Sequence, residues 1–375
     1  MNLHYRFIQP LDVLFLRGNK LFGDPGSYGE ALIPPWPSVA AGAIRSRMLV
    51  DKNIDLKAFA AGKVSDDAEL GTPEQPGSFT LMGFYLARKT ADGQVTLLLP
   101  PPADLVVSKT ADDALWIDRL SPKSMALASS FPLPMLPVLA QGNKRSKPEA
   151  GYWLTQAGWL AYLNGQTPLP EQLEKSSLLW SLDARVGIGM NSATRSVEEG
   201  KLFTTQAVAM NQGVGFLAAV SGAIPPESGL LRLGGDGRAA NIQQVDFNLP
   251  EADYAAMAHA KRCRIVLTSP GLFPDGWKLP GCESDHRVRL PGGIQARLVS
   301  AAIPRAETIS GWDLAKWQPK PAQKAVPTGS VYWLDELDAT ESSLRKLAEN
   351  GLWGEPCEHV SRRAEGFNRM ALAAW

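Results

Sequence analysis

The sequence has few of the residues that build cysteine- or histidine-based sites. Its 375 residues include only 3 cysteines, and Cys263, Cys282 and Cys357 lie far apart. No CxxC pair or Cys/His spacing of a zinc site occurs. An odd, sparse set of cysteines without a secretory signal is typical of a reducing cytoplasm. We therefore expect a cytoplasmic protein that holds no metal.

Catalytic signatures are also lacking. The histidines, of which there are 4, are isolated in the chain, and none belongs to an HExxH motif. There is no GxSxG motif and no Walker-type phosphate loop. We expect no enzymatic activity and no cofactor.

No long, uninterrupted apolar run is present, and neither sign of charge is in excess. Residues 124–143 are broken by prolines and residues 202–226 by polar side chains, which argues against a membrane span. Lys and Arg number 38, as do Asp and Glu. Any nucleic-acid binding must therefore come from a local patch of positive charge.

Glycine and proline are abundant, at 34 and 29 residues, which favours short elements joined by turns. Strand patterns outnumber helical ones, so we predict an α+β fold with antiparallel sheets. Predicted strands are 3–8, 79–88, 95–99, 105–108, 114–117, 202–210, 214–221, 264–268, 294–302, 330–334 and 369–373, with 202–210 pairing with 214–221. Predicted helices are 39–49, 155–163 and 341–350, and Ser38 is the expected N-cap of the first.

Three segments have the composition of a polyanion site. Arg185 and Arg195 flank glycines in a stretch without a steady period, typical either of a surface that follows a sugar-phosphate backbone or of a mobile loop. Glycines including Gly235 precede Arg238, a pattern of phosphate-binding loops that also fits an ordinary hairpin turn.

The third segment is the N-terminal block. Arg17, Lys20 and Phe22 share a loop, and Arg45 and Ser46 follow on the first helix. Basic donors with an interleaved aromatic suit single-stranded nucleic acid. A solvated basic helix end is the alternative. On the binding hypothesis, the amides at Ser38 receive a phosphate, Gly42 lets the chain approach the helix, and a base stacks on Phe22 or Trp36. Trp36 could equally belong to the core.

Several motifs in combination resemble a CRISPR-associated RAMP protein, with the closest likeness to subunit three of the type III-B Cmr effector complex. They are LDVLFLRGNKLFGDPGSYGEALIPPWPSVAAGAIRSRML near the start, ARVGIGMNSATRSVEEGKLF in the middle, and LGGDGRAA, VPTGSVYW and AEGFNRMALAAW towards the end.

The resemblance implies two ferredoxin-like, RRM-like domains: 1–200, with insertions at 51–78 and 100–150, and 201–375, with glycine-rich loops. It implies a non-catalytic subunit that holds the 5′ handle of the guide RNA (crRNA). Its protein partners would be the large polymerase-like signature subunit and a backbone RAMP subunit. Carried over by position, the RNA-binding candidates are Arg17, Lys20, Phe22, Ser38, Gly42, Arg45, Ser46, Arg185, Arg195, Gly235 and Arg238.

One departure concerns the C-terminal motif. RAMP proteins often end in a GxGxxG or GFG loop, and here Asn368 takes the place of a glycine in Gly366-Phe367-Asn368. RNA contact by this loop is therefore in doubt. The alternative functions are a guide-RNA-processing endoribonuclease, the equivalent type III-A subunit and a protein-binding scaffold.

Overall fold

The computed structural model describes residues 2–18, 28–64, 67–110, 112–139 and 147–375. They form an α+β fold with several antiparallel sheets, as the sequence predicts. The chain divides into two compact units. Unit 1 comprises residues 1–95, 177–246 and 308–323, and unit 2 comprises residues 96–176, 247–307 and 324–375. This division differs from the predicted domains 1–200 and 201–375, because strands that follow residue 200 flank the N-terminal strand.

Strands account for most of the regular structure. In chain order they are β1 (His4–Pro10), β2 (Tyr28–Gly29), β3 (Thr80–Lys89), β4 (Val95–Leu99), β5 (Leu105–Lys109), β6 (Leu115–Lys123), β7 (Leu136–Leu139), β8 (Tyr152–Thr155), β9 (Leu173–Lys175), β10 (Trp180–Met190), β11 (Val197–Met210), β12 (Val214–Ser221), β13 (Ser228–Arg232), β14 (Ala239–Gln244), β15 (Cys263–Leu267), β16 (Arg287–Leu290), β17 (Ile294–Ala302), β18 (Glu307–Ile309), β19 (Trp312–Asp313), β20 (Gln318–Pro319), β21 (Gln323–Ala325), β22 (Val331–Asp338) and β23 (Met370–Ala373).

The α-helices are fewer and mostly short. They are α1 (Pro37–Asp51), α2 (Leu56–Ala60), α3 (Gln156–Leu163), α4 (Tyr254–Ala260), α5 (Glu341–Asn350) and α6 (Val360–Ala364). The three predicted helices correspond to α1, α3 and α5. None of the helices in the described ranges has the length and apolar character needed to cross a membrane.

Unit 1 is built on an antiparallel sheet in the order β13-β14-β1-β12-β3. All eight residues of β12 are buried, as expected for a central strand. Helix α1 packs against β3 and β13, with Ala40, Ile44 and Met48 buried. These positions recur every four residues, so they form one apolar stripe towards the sheet.

Strand β11 does not pair with β12, contrary to the prediction. Instead β12 pairs with β1 and β3, while β11 pairs with β10 in a long antiparallel hairpin, Trp180 opposite Met210. The stretch that carries Arg185 and Arg195, for which the sequence left a mobile loop as one alternative, is therefore a strand, a turn and the start of a second strand. Its glycines have a packing reason, since a Cβ on Gly187 would lie 2.4 Å from the Phe203 ring and one on Gly189 would lie 2.6 Å from Lys201 Cβ.

Unit 2 contains a second antiparallel sheet, in the order β16-β17-β22-β15-β23. Helices α3 and α5 pack against β23, and α4 packs against α5. Helix α5 begins after a reciprocal cap between Thr340 and Ser343.

A fully buried ion pair lies within unit 2. Arg264 Nη1 is 2.6 Å from Asp104 Oδ2, and the two side chains are 1% and 0% exposed. Tyr162 Oη donates to the other carboxylate oxygen at 2.7 Å, and burial raises the pKa of this phenol well above its usual value. Arg264 also donates to the carbonyl oxygens of Tyr162 and Ala374. The charges are thus paired and hydrogen-bonded, as burial requires.

We predict that Arg264→Met destabilises the protein by about 3–5 kcal/mol, because Asp104 would remain charged and buried without its partner. The free energy of unfolding from denaturant titration checks this. The matched control is Arg287→Met, since the Arg287 side chain is 72% exposed in its ion pair and its loss should change stability by less than about 1 kcal/mol. Equal effects of the two substitutions would contradict the prediction.

Candidate functional site

Two of the predicted arginines meet at one buried aromatic ring in unit 1. The guanidinium carbon of Arg238 lies 5.1 Å from the ring centroid of Phe15, and that of Arg185 lies 5.9 Å from it. Phe15 itself is only 6% exposed. Both distances fall within the range of a cation–π contact. The structure thus brings together residues that the sequence separates widely.

The glycine-rich loop before Arg238 is fixed to the backbone of Phe15. Gly235 N–H donates to the Phe15 carbonyl at 2.8 Å, and Leu233 N–H donates to the Arg238 carbonyl at 2.8 Å. Gly234 has φ +77°, and a Cβ there would lie 2.7 Å from the Phe15 oxygen. Only glycine combines this backbone conformation with so close an approach.

The same N-terminal stretch is tied to β11 and to residues 31–32. Leu14 and Val208 exchange two backbone hydrogen bonds of 2.8 Å, and Leu32 N–H donates to the Leu16 carbonyl. Arg17 forms a bridge with Ala31. Burial lowers the pKa of the Arg17 guanidinium, while the nearby Asp236 carboxylate opposes this shift. Arg17 therefore lies beside the glycine-rich loop that carries Asp236.

Aspartates accompany the arginines of this cluster, which we call the Phe15 cluster (Arg17, Arg185, Gly235 and Arg238 around Phe15). Arg238 Nη1 is 2.8 Å from Asp12 Oδ2, and Arg185 Nε is 2.9 Å from Asp183 Oδ2. Ion pairs as exposed as these contribute little stability, so a phosphate can replace the carboxylates at low cost. The ring contacts meanwhile hold the guanidinium groups in place.

Helix α1 does not begin as predicted. Its N-cap is Trp36 rather than Ser38, and Pro37 occupies the first helical position. Proline is favoured there because its fixed φ suits the helix and it has no N–H to satisfy. Ser38 is half-buried in the first turn, and Val39 N–H donates to the Trp36 carbonyl. The helix end therefore offers fewer free amides to an anion than the prediction assumed.

The other α1 candidates contact different parts of unit 1. Gly42 is exposed, and a Cβ there would meet nothing within 4 Å, consistent with an open surface. Arg45 donates to the Leu70 carbonyl at 2.7 Å and lies 5.9 Å from the Phe79 ring, so it helps to hold residues 67–79. Ser46 is half-buried.

The remaining candidates lie apart or outside the described residues. Arg195 is exposed in the turn between β10 and β11, with φ +54° and its N–H donating to the Asn191 carbonyl. Lys20 and Phe22 lie outside the described residues. Trp36, the alternative stacking platform, is 7% exposed and belongs to the core.

The C-terminal motif around Gly366-Phe367-Asn368 makes contacts within unit 2. Asn368 adopts φ +58°, the left-handed conformation for which glycine and asparagine are best suited. It is 2% exposed, and its side-chain oxygen accepts from Leu272 N–H at 2.6 Å. Arg369 is 4% exposed and donates to the Glu349 carbonyl. These two side chains therefore act within unit 2.

Sequence reasoning missed Phe15, Asp12 and Asp183 as members of the site. A buried phenylalanine in an apolar run looks like any core residue, and the pairing of Arg238 with Asp12, over 200 positions away, leaves no local pattern. Asp183, in contrast, lies two residues from Arg185, and this local signal was overlooked. Within the described ranges, no group of three potential metal-ligating side chains occurs.

A family model described as CRISPR-associated protein (Cas_Cmr3) matches residues 6–375. The chain belongs to this family. The match covers both units, and it confirms the resemblance drawn from the motifs. No curated protein sequence gives a significant match.

Solved structures similar to this Cmr3-family chain belong to type III-B Cmr-beta complexes. A chain of the complex bound to cognate target RNA and AMPPnP (state 1) has 15% identity and a TM-score of 0.47, with 98% of each chain covered. A chain of the complex bound to cognate target RNA has the same identity and score, covering 98% of this chain and 96% of the other. A chain of the apo state has 13% identity and a TM-score of 0.27, covering 65% of this chain and 97% of the other. The family assignment rests on the family match alone.

We predict that Gly234→Ala disturbs the Phe15 cluster by more than Gly237→Ala. Both glycines have positive φ, but a Cβ on Gly237 would meet nothing within 4 Å. Gly237→Ala, the control, should therefore lower the free energy of unfolding by about 1–2 kcal/mol through the left-handed backbone alone. The clash with the Phe15 carbonyl should add to this cost in Gly234→Ala, as thermal unfolding can measure. Equal losses of stability would contradict the packing argument.

Proposed function

We propose that this protein is a non-catalytic, cytoplasmic subunit of a type III-B Cmr complex that binds the 5′ handle of the guide RNA. Family membership supports a role in CRISPR defence, and the Phe15 cluster is the observation that carries the RNA-binding role. We also propose that the fold consists of ferredoxin-like RAMP domains, and that the protein joins the large signature subunit to the backbone RAMP subunits.

The chemistry of the Phe15 cluster suits a phosphodiester backbone. The Arg185 and Arg238 guanidinium groups rest against one phenyl ring, which limits the conformational freedom lost when they bind a phosphate. Their planar donors match phosphate oxygens, and their aspartate partners are easily displaced. Contacts of this kind recognise the path of a strand more than its base sequence.

The exposed hairpin β10–β11 extends this surface. Because side chains alternate between the two faces of a strand, Leu182, Val186 and Ile188 lie on one face of β10, and all three are at least 48% exposed. Asp183 and Arg185 lie on the opposite side, and Arg185 contacts Phe15. Strand β10 therefore directs Arg185 towards the Phe15 cluster and exposes these three apolar side chains on its other face.

Guide-RNA binding predicts a specific effect of arginine removal. Arg185→Ala combined with Arg238→Ala should weaken binding of a fluorescein-labelled handle RNA about tenfold or more, measured by anisotropy. Because each phosphate contact contributes about 0.7 to the slope of log affinity against log salt for single strands, loss of two such contacts should reduce the slope by about 1.4.

The matched control replaces Arg287 and Arg289 by alanine, since both side chains are more than 70% exposed on β16 and lie outside the Phe15 cluster. Binding that is unaffected by the first pair, or weakened equally by both, would contradict the proposal.

The absence of catalysis is a separate expectation. The protein incubated with repeat RNA should leave it intact. Specific, metal-independent cleavage that disappears on substitution of His4 or His286 would instead favour the processing endoribonuclease.

A further inference from the structure

A small hairpin in unit 1 exposes two tryptophans that the fold does not use. Strands β19 and β20 pair Trp312 with Pro319 and Asp313 with Gln318. Trp312 is 50% exposed and Trp317 is 74% exposed. Their rings meet edge-to-face, with centroids 6.0 Å apart and planes at 85°. Such a contact covers at most one face of one indole, so flat surfaces on both rings stay accessible.

The backbone at Trp317 is costly for local stability. Its φ is +52°, a left-handed conformation that costs a residue with a Cβ roughly 1–2 kcal/mol. Glycine or asparagine would suit this turn better, and an exposed indole gains little from burial. A bulky aromatic in a strained, exposed turn indicates selection for contact with another molecule.

The charges around the tryptophans indicate which kind of molecule these side chains contact. Lys316 and Lys320 lie within the hairpin, and Lys316 Nζ is 3.4 Å from Glu74 Oε1 in an ion pair whose side chains are 53% and 61% exposed. A pair as exposed as this contributes little stability, so a phosphate can replace the carboxylate. The one carboxylate in the turn, Asp313, accepts the backbone N–H groups of Ala315 and Lys316. Lysine is depleted in protein–protein interfaces, whereas aromatics interleaved with cations are typical of single-strand binding.

We propose that the hairpin 311–320 is a second nucleic-acid contact of this protein, at which Trp312 and Trp317 stack on unpaired bases of single-stranded RNA and Lys316 faces the phosphates. This contact goes beyond the proposed handle site. It should tolerate many sequences, because every base offers a face for stacking.

The test measures binding of fluorescein-labelled oligo(U) of 15 nucleotides, which contains no handle sequence, to the purified full chain. Trp312→Ala combined with Trp317→Ala should weaken binding about tenfold or more, since stacking contributes roughly 1–3 kcal/mol per base. Trp312→Phe combined with Trp317→Phe should restore most of the affinity. The matched control is Trp116→Ala, an equally exposed tryptophan (57%) of unit 2, which should leave affinity unchanged.

Other outcomes would overturn the proposal. One is an oligo(U) affinity that the double alanine variant does not change, and another is the absence of binding by the wild-type chain. If the variant keeps its RNA affinity but no longer co-purifies with the other Cmr subunits, the tryptophans dock a protein instead. Arg185→Ala with Arg238→Ala, measured on handle RNA, tests the handle site separately, so the two proposals can fail independently.

Discussion

The close approach of the glycine-rich loop to Phe15 is the contact on which the candidate site depends. Gly234 and Gly235 lie against the Phe15 backbone, where a side chain at Gly234 would collide with the carbonyl oxygen. This approach places Arg238 on the phenyl ring, which also receives Arg185 from β10. One ring and one carbonyl thus set the positions of groups from three distant stretches of the chain.

Burial decides which arginines are available to a ligand in a chain without net charge. Arg6 and Arg264 are each 1% exposed. Arg6 donates hydrogen bonds to backbone carbonyl oxygens, and Arg264 donates to Asp104. The guanidinium groups of Arg185 and Arg238 lie at the edge of the core, with partners that a phosphate can replace. The Phe15 cluster sets Arg17, Arg185 and Arg238 beside Asp236, Asp183 and Asp12, so it offers guanidinium donors without a local excess of positive charge.

Local patterns predicted α1, α3, α5 and many of the strands but missed β10, and long-range pairing was beyond them. Caps and turn residues account for two of these elements, because Thr340 caps α5 and Gly93, in the turn between β3 and β4, has φ +91°. The predicted pairing of β11 with β12 was wrong. The short turn at Gly213 suggested a hairpin, but β12 pairs with β1 and β3. In the site, arginines and glycines carried a signal in the sequence. Phe15 and Asp12 carried no such signal, because only the fold brings them into contact with the arginines.

The position of β1 in its sheet has a consequence for biosynthesis. Its two neighbours, β12 and β14, begin about 200 residues later in the chain. At about 5–20 residues per second, the ribosome delivers them roughly 10–50 s after β1 emerges. During that interval both edges of the first strand lack their native partners, a state prone to aggregation. Nascent chains of this protein should therefore depend on chaperones until β14 has left the ribosome.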